Sequence, residues 1–368
     1  MMKKAIGFLL VFMLVMAGFI GSVSGSTVIK KSSQSQVRGG TLFVGGGGPG
    51  NYTRIQDAVD NASSGDIVFV YDDSSPYKEN ITISKSLWIQ GENKHTTIID
   101  GSHGIGHSFQ INTDNVTITS FTIQNTGIAI YIGGFGETAS HNIITDTIIL
   151  NSSAGIVMVY GDPSKPDFLP YGYNTISDNY IKDTKYYGIV VNQGCNNLIT
   201  RNTVTETQGS DELQYGWGIQ ISGAFNNISY NNVSNNERFG IILGDTYNTV
   251  IYRNNIENNG LYGLAIECGS FDRIIQNNFI GNRRHAVYDQ QIIIFFLNVI
   301  KHYPILPCIW KENYWNRPRI LPYIIPGCIG YAGYFSWSFY AKYDIIPANS
   351  MHFDWRPAQE PYDIPLGE

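Results

Sequence analysis

Residues Asn226–Asn282 read NNISYNNVSNNERFGIILGDTYNTVIYRNNIENNGLYGLAIECGSFDRIIQNNFIGN. One unit recurs inside this stretch: an apolar residue, two spacers, an Asn, one spacer and a second apolar residue, then a Gly and alternating apolar residues. Ile228, Asn231 and Val233 open one copy, Ile251, Asn254 and Ile256 the next, and Ile274, Asn277 and Phe279 a third. The first two copies continue into Ile241/Leu243 and Leu264/Ile266, whose period-two alternation puts these side chains on one face of a strand.

Outward from this stretch the unit appears seven times, starting at Val116, His141, Asn174, Asn197, Asn226, Thr249 and Asp272, with steps of 25, 33, 23, 29, 23 and 23 residues. Three short strands per turn cannot bury a face alone; they become a core when successive turns stack at about 4.8 Å. The polar position between the two apolar ones holds Asp146, Asn179, Asn202, Asn231, Asn254 and Asn277, which stacking would align into an amide ladder at a tight turn. A ladder is preferred over a polar ligand surface as the reason for these asparagines.

Upstream, Tyr52–Ala62 is an amphipathic helix with Ile55, Ala58 and Val59 on one side, suited to plug the open end of a solenoid. Irregular first coils follow in 66–71, 79–83, 86–91 and 97–101. The whole amounts to about ten coils and roughly 50 Å of stack. Two insertions, Gly161–Gly172 and Glu206–Tyr215, break the step. They should rise at opposite edges of one sheet and wall a shallow groove, the place where function sits on a repetitive scaffold.

Residues 1–25 read as an export signal: Lys3 and Lys4 precede an uncharged run from Ala5 to Val23, with small residues before Ser26. A retained anchor is the competing reading; in either case the bulk of the chain is exported, extracellular or at the cell surface. Without Lys3 and Lys4 the 24 basic and 30 acidic residues become 22 and 30, a net charge of −8, which argues against nucleic acid as a partner. The four cysteines are too few for a disulfide framework, and Cys308 with Cys328 is the pair to test. From about Gln291 the composition turns to Pro, Trp, Tyr and Phe. The uncharged stretch Ile320–Ala341 is interrupted by Pro322, Pro326 and several glycines, so an irregular cap is preferred to a membrane span.

The segment TRIQDAVDNASSGDIVFV (53–70), followed by YKENITI (77–83), SLWIQG (86–91), TTIIDG (96–101) and the asparagine coils, resembles the NosD-like family of parallel β-helix proteins over roughly residues 41 to 290. That resemblance places the chain in the wider carbohydrate-binding and sugar-hydrolase β-helix group, with pectate lyases and polygalacturonases. The tail, NYWNRPRILP (313–322) and FDWRPAQEPYD (353–363), resembles the ending of some archaeal surface β-helix proteins. The expected fold is all-β: a signal peptide at 1–25, a linker at 26–40, a right-handed parallel β-helix at 41–290 and a C-terminal aromatic, Pro-rich cap at 291–368.

A uronate lyase needs carboxylates that hold calcium and a basic residue that takes the proton beside the carboxyl. Asp162, Asp167, Asp211 and Glu212 in the two insertions are the candidates for calcium; as exposed loop acids they are more simply read as solvated. Enzyme chemistry would gain support if these acids met Arg201 or Lys185. An inverting glycosidase needs paired carboxylates, and the lone triplet Asn112-Thr113-Asp114 is matched by no partner motif, so no catalytic residue is assigned. Copper, the role the family name implies, would call on His103 and His107, for which no third ligand is evident. Just before the small residue that opens each alternating strand stand Tyr187, Trp217, Phe239, Tyr262 and His285. Their parity with the inward apolar residues favours a stack inside or at a corner of the solenoid. On the surface the same column, with Tyr215, would pack against sugar rings. The functional expectation is an exported, non-catalytic β-helix that binds a glycan or another cell-envelope component along its side. The alternatives are a polysaccharide lyase or glycosidase, a copper-handling accessory protein and a structural surface protein.

Overall fold

The computed structural model describes residues 39–103, 106–134, 139–159, 172–209, 215–267, 269–295, 299–301, 308–332 and 346–365. The leader at 1–25 and nearly all of the linker at 26–40 lie outside the described residues, as do all of the first insertion but Gly172 and residues 210–214 of the second. From residue 39 onward the chain winds as a right-handed parallel β-helix with three sheets of eleven, nine and twelve strands.

Nine coils contribute to all three sheets, one fewer than the sequence count, for about 40 Å of complete stack. The repeat's apolar residues set the register. Ile144, Ile176, Ile199, Ile228, Ile251 and Ile274 pair in order in the first sheet, and Ile149, Ile181, Val204, Val233, Ile256 and Phe279 in the second. Ile156, Ile189, Ile219, Ile241 and Leu264 do the same in the third. All of these side chains are fully buried, each contributing about 2 kcal/mol of transfer free energy.

Asparagine ladders run along the corners. One joins Asn179, Asn202, Asn231, Asn254 and Asn277, each carboxamide oxygen accepting the backbone N–H of the residue one coil below. Its first rung is Thr147, whose N–H and hydroxyl both donate to Asn179, and not Asp146. Asp146 is the turn residue beside it and pairs with Lys94 at 2.8 Å. Two further ladders, Asn142–Asn174–Asn197–Asn226 and Asn236–Asn259–Asn282, occupy the other corners. The left-handed backbone falls on the residue before the ladder position, as at Arg201 (φ 54°), Tyr230 (58°), Arg253 (50°) and Gln276 (57°). Asparagine is needed here for its two-sided amide, which bridges coils, more than for its tolerance of left-handed φ.

Both ends are covered. The helix Ile55–Asn61 buries Ile55, Ala58 and Val59 against the first coils, and Glu79 accepts the N–H groups of Ile55 and Gln56 at 2.9 and 3.1 Å. At the other end the stack does not stop near Gln291. Trp310, Asn313 and Trp315 repeat the apolar–Asn–apolar spacing and pair with the coil below, Tyr323–Ala332 completes the coil, and Ile346–Asp354 covers it in antiparallel pairing. Asp354, fully buried, ends the ladder by accepting from the Asn313 N–H and the Trp315 indole at 2.8 and 3.1 Å. Cys308 is a free, buried thiol 4.0 Å from Asp272, so the pairing with Cys328 is not made. Among the described residues no helix is long and apolar enough to cross a membrane.

Candidate functional site

The aromatic column lies on the outer face of the third sheet. Tyr187, Trp217, Phe239 and Tyr262 pair in register with ring centroids 5.1, 6.3 and 5.8 Å apart. Parity favoured a stack inside or at a corner; the column lies at the corner, and the glycines explain why it does not enter the solenoid core. A Cβ on Gly188 would lie 2.2 Å from Val204, on Gly218 2.7 Å from Val233 and on Gly240 3.0 Å from Ile256, all core residues. The glycine therefore turns the bend facing in, the residue after it also faces in, and the aromatic before it faces out.

Facing out does not make the column an open ribbon. Trp217, Phe239 and Tyr262 are only 5, 5 and 7% exposed, packed with Ile242, Ala265 and Val287 in a second apolar cluster separate from the solenoid core. Tyr187 and Tyr215 are half-buried against it, in edge contact at 5.0 Å. Burial, then the neighbouring Tyr215, push the Tyr187 phenol above its ordinary range. The column does not end in His285. The last corner is one residue shorter, so Arg284 pairs with Tyr262. Arg284 donates to the Tyr262 hydroxyl at 2.6 Å and sits 5.5 Å from its ring centroid. His285 takes the glycine place and faces Trp315 and Tyr323 at 6.4 and 6.3 Å.

Beside the column, where the second sheet turns into the third, is a pocket of about 210 Å³. Tyr215, Leu261, Arg238, Arg283 and Glu237 form its walls, and Gly209 and Gly260 its backbone edges. Gly260 lets the two corners approach closely, since a Cβ there would lie 2.0 Å from the Glu237 carbonyl. Glu237 accepts the Gly209 N–H. The Arg238 guanidinium lies 5.9 Å from the Phe239 ring centroid, and its buried Nε has no hydrogen-bond partner. Arg238, Leu261, Arg283, Glu237 and Gly260 were missed in the sequence. The signal was the two residues after each asparagine of the third ladder: Glu237-Arg238, Gly260-Leu261 and Arg283-Arg284.

The other expected groups do not join this site. Asp162, Asp167, Asp211 and Glu212 lie outside the described residues. The first insertion follows the C-terminal end of the strand Ala154–Val159 and the second precedes the N-terminal end of Trp217–Ala224, both interior strands of the third sheet; the groove expected between the insertions falls on residues outside those described. Arg201 is held by Asp178 through bonds of 2.6 and 2.7 Å, and Lys185 lies over Tyr186 at 5.1 Å. Asp114 of the Asn-Thr-Asp triplet accepts the Ser140 N–H at 2.7 Å, a corner contact. His107 stacks on Tyr131 at 4.6 Å, and burial holds its pKa below the usual value. His141 stacks on Tyr173 at 5.2 Å. Among the described residues no three His, Cys, Asp or Glu side chains come together.

No curated protein matches the chain. Among solved structures it is similar to XylC, studied in complex with xylose, with a TM-score of 0.53 and 11% identity over 75% of this chain and 71% of that one. It is also similar to the A-module of the Azotobacter vinelandii mannuronan C-5 epimerase AlgE6 (TM-score 0.47, 13% identity, 76% and 84% covered). The pectate lyase Pel9A scores 0.47 with 13% identity over 75% of this chain and 76% of that one. At such identities the likeness is one of fold. A family model described as periplasmic copper-binding protein (NosD) matches residues 59–319, and the chain belongs to that family.

Proposed function

We propose that the chain is an exported, non-catalytic β-helix that binds a cell-envelope glycan on the outer face of its third sheet, at the pocket beside the aromatic column. The observation that carries this reading is the pocket itself: a half-buried tyrosine, an apolar wall and guanidinium groups converge on one concave spot of an otherwise regular stack. Sugar rings pack on aromatic and aliphatic faces while their hydroxyls take hydrogen bonds from fixed polar groups. The periplasmic description of the family supports export. Binding is preferred to catalysis because the one described carboxylate at the pocket, Glu237, is engaged with Gly209, whereas glycoside hydrolysis uses two.

The buried column shifts the contact residues. Trp217, Phe239 and Tyr262 hold the wall in place, and Tyr215 with Tyr187 at its rim presents the aromatic surface. Titration of the protein with a panel of envelope and plant-type oligosaccharides, repeated with Tyr215→Ala, tests the reading. Saturable binding weakened about tenfold in the variant is expected, the scale of one well-placed aromatic contact. Absence of binding across the panel would leave a structural or protein-partner role instead.

A further inference from the structure

We infer that the pocket reads a negative charge on the saccharide, so that the ligand is an anionic sugar chain with a uronate carboxylate or an acidic ester on the unit that enters. This rests on the glycan reading above and adds the chemical class. The chain as a whole is acidic, with 30 acidic against 24 basic residues. Yet the corners after Asn236 and Asn282, two coils apart with the Gly260-Leu261 corner between them, bring Arg238, Arg283 and Arg284 to one side of the third sheet. Arg284 is fixed by the Tyr262 hydroxyl. Arg238 and Arg283 have no carboxylate partner among the described residues, and the Arg238 Nε is a buried donor with no acceptor. The planar fork of a guanidinium matches a carboxylate through two parallel bonds, which neither a hydroxyl nor a lysine-type contact reproduces.

Size narrows the ligand further. At about 210 Å³ the pocket is smaller than sites that enclose a drug-sized molecule. It holds one unit of a longer chain while neighbouring units run along the half-buried tyrosines. Arg238 and Arg283 outnumber Glu237, the one carboxylate of the described lining, so the lining carries a net positive charge. A second neutral wall, Leu261, suits the carbon face of the same ring.

The test is calorimetric titration of the wild-type protein, Arg283→Glu and the double variant R238Q/R283Q. The probes are oligomers of galacturonate, the corresponding neutral galactose oligomers and a sulfated neutral oligomer, each at low and at physiological salt. Charged oligomers should bind at least about tenfold tighter than neutral ones, with the gap narrowing as salt screens it. The preference should vanish in both variants; Arg283 is exposed, so the single change leaves folding intact. Preference for the uronate or the sulfated arm identifies the source of the charge. Equal binding of neutral and charged oligomers, or an unchanged preference in both variants, overturns the inference while the glycan reading stands. If no oligomer binds, the glycan reading itself falls.

Discussion

Asn231 is fully buried, and its amide is used on both sides. The oxygen accepts the backbone N–H and the amide of Asn202, both at 3.0 Å. The nitrogen donates to the Ile199 and Ser229 carbonyls at 2.9 and 3.1 Å and to the Asn254 oxygen at 2.9 Å. Asn231→Ala strands donors and acceptors in the coil below and in its own, in a region without water, so a loss of about 3 kcal/mol is expected on chemical denaturation. Asn227, four residues earlier, is exposed, and Asn227→Ala should stay within about 0.5 kcal/mol. Equal losses would mean that the ladder adds nothing beyond the strands. This residue-level pattern was legible because the repeat places Asn at one fixed offset from two apolar residues. It misled only at Asp146, where Thr147 takes the rung and the acid beside it mimics the motif.

At the scale of the strand, the bend before each alternating segment depends on glycine. A Cβ on Gly218 would lie 2.7 Å from the Gly240 carbonyl, the Asn236 amide and the Val233 methyl alike. The carbonyl is backbone and cannot move aside. Gly218→Ala should therefore destabilise by about 3 kcal/mol, as overpacking of a closed corner does. Gly244, inside the next strand of the sheet, Phe239–Tyr247, has nothing within 4 Å of an added Cβ, and Gly244→Ala is expected to be neutral or slightly stabilising. Melting temperatures of the two variants compare these directly; a neutral Gly218→Ala would contradict the bend. The same glycines mark where sequence reading stopped short. Strict alternation assigns Tyr187, Trp217, Phe239 and Tyr262 to the core face. Only the three-dimensional corner reveals that parity slips at the glycine and carries the column, and the pocket beside it, to the outside. The ninth coil was hidden differently, because the residues between His285 and Cys308 separate Trp310, Asn313 and Trp315 from the steps that would have exposed them as one more repeat.

For the molecule as a whole, two groups near the C-terminal end, Asp272 and His285, pull the dependence of stability on pH in opposite directions. Asp272 stands at a ladder position, fully buried, accepting from the Thr249 N–H at 2.8 Å and the Thr246 hydroxyl at 2.7 Å. Burial raises its pKa from 3.8 to about 6, with the two hydrogen bonds acting against the rise. It therefore holds its proton tighter when folded. Its contribution is full below pH about 4 and lost as pH rises through 6, a swing of about 3 kcal/mol. His285, enclosed by Trp315 and Tyr323, is lowered from 6.5 to about 4 by burial and then by Arg319. Its contribution is full above the unfolded value and falls as pH drops toward 4. Over the same interval one term rises while the other declines, so the two oppose each other in the wild-type protein. Asp272→Asn, which restores the residue found at this corner in four lower coils, removes the rising term. Between pH 7 and pH 4 it should lose about 3 kcal/mol more than wild type. His285→Phe removes the falling term and should gain stability over that range relative to wild type. Denaturant midpoints of the three proteins across the interval decide the matter: parallel curves would mean that neither group changes its protonation with unfolding, and that the solenoid's end is wetter than its packing implies.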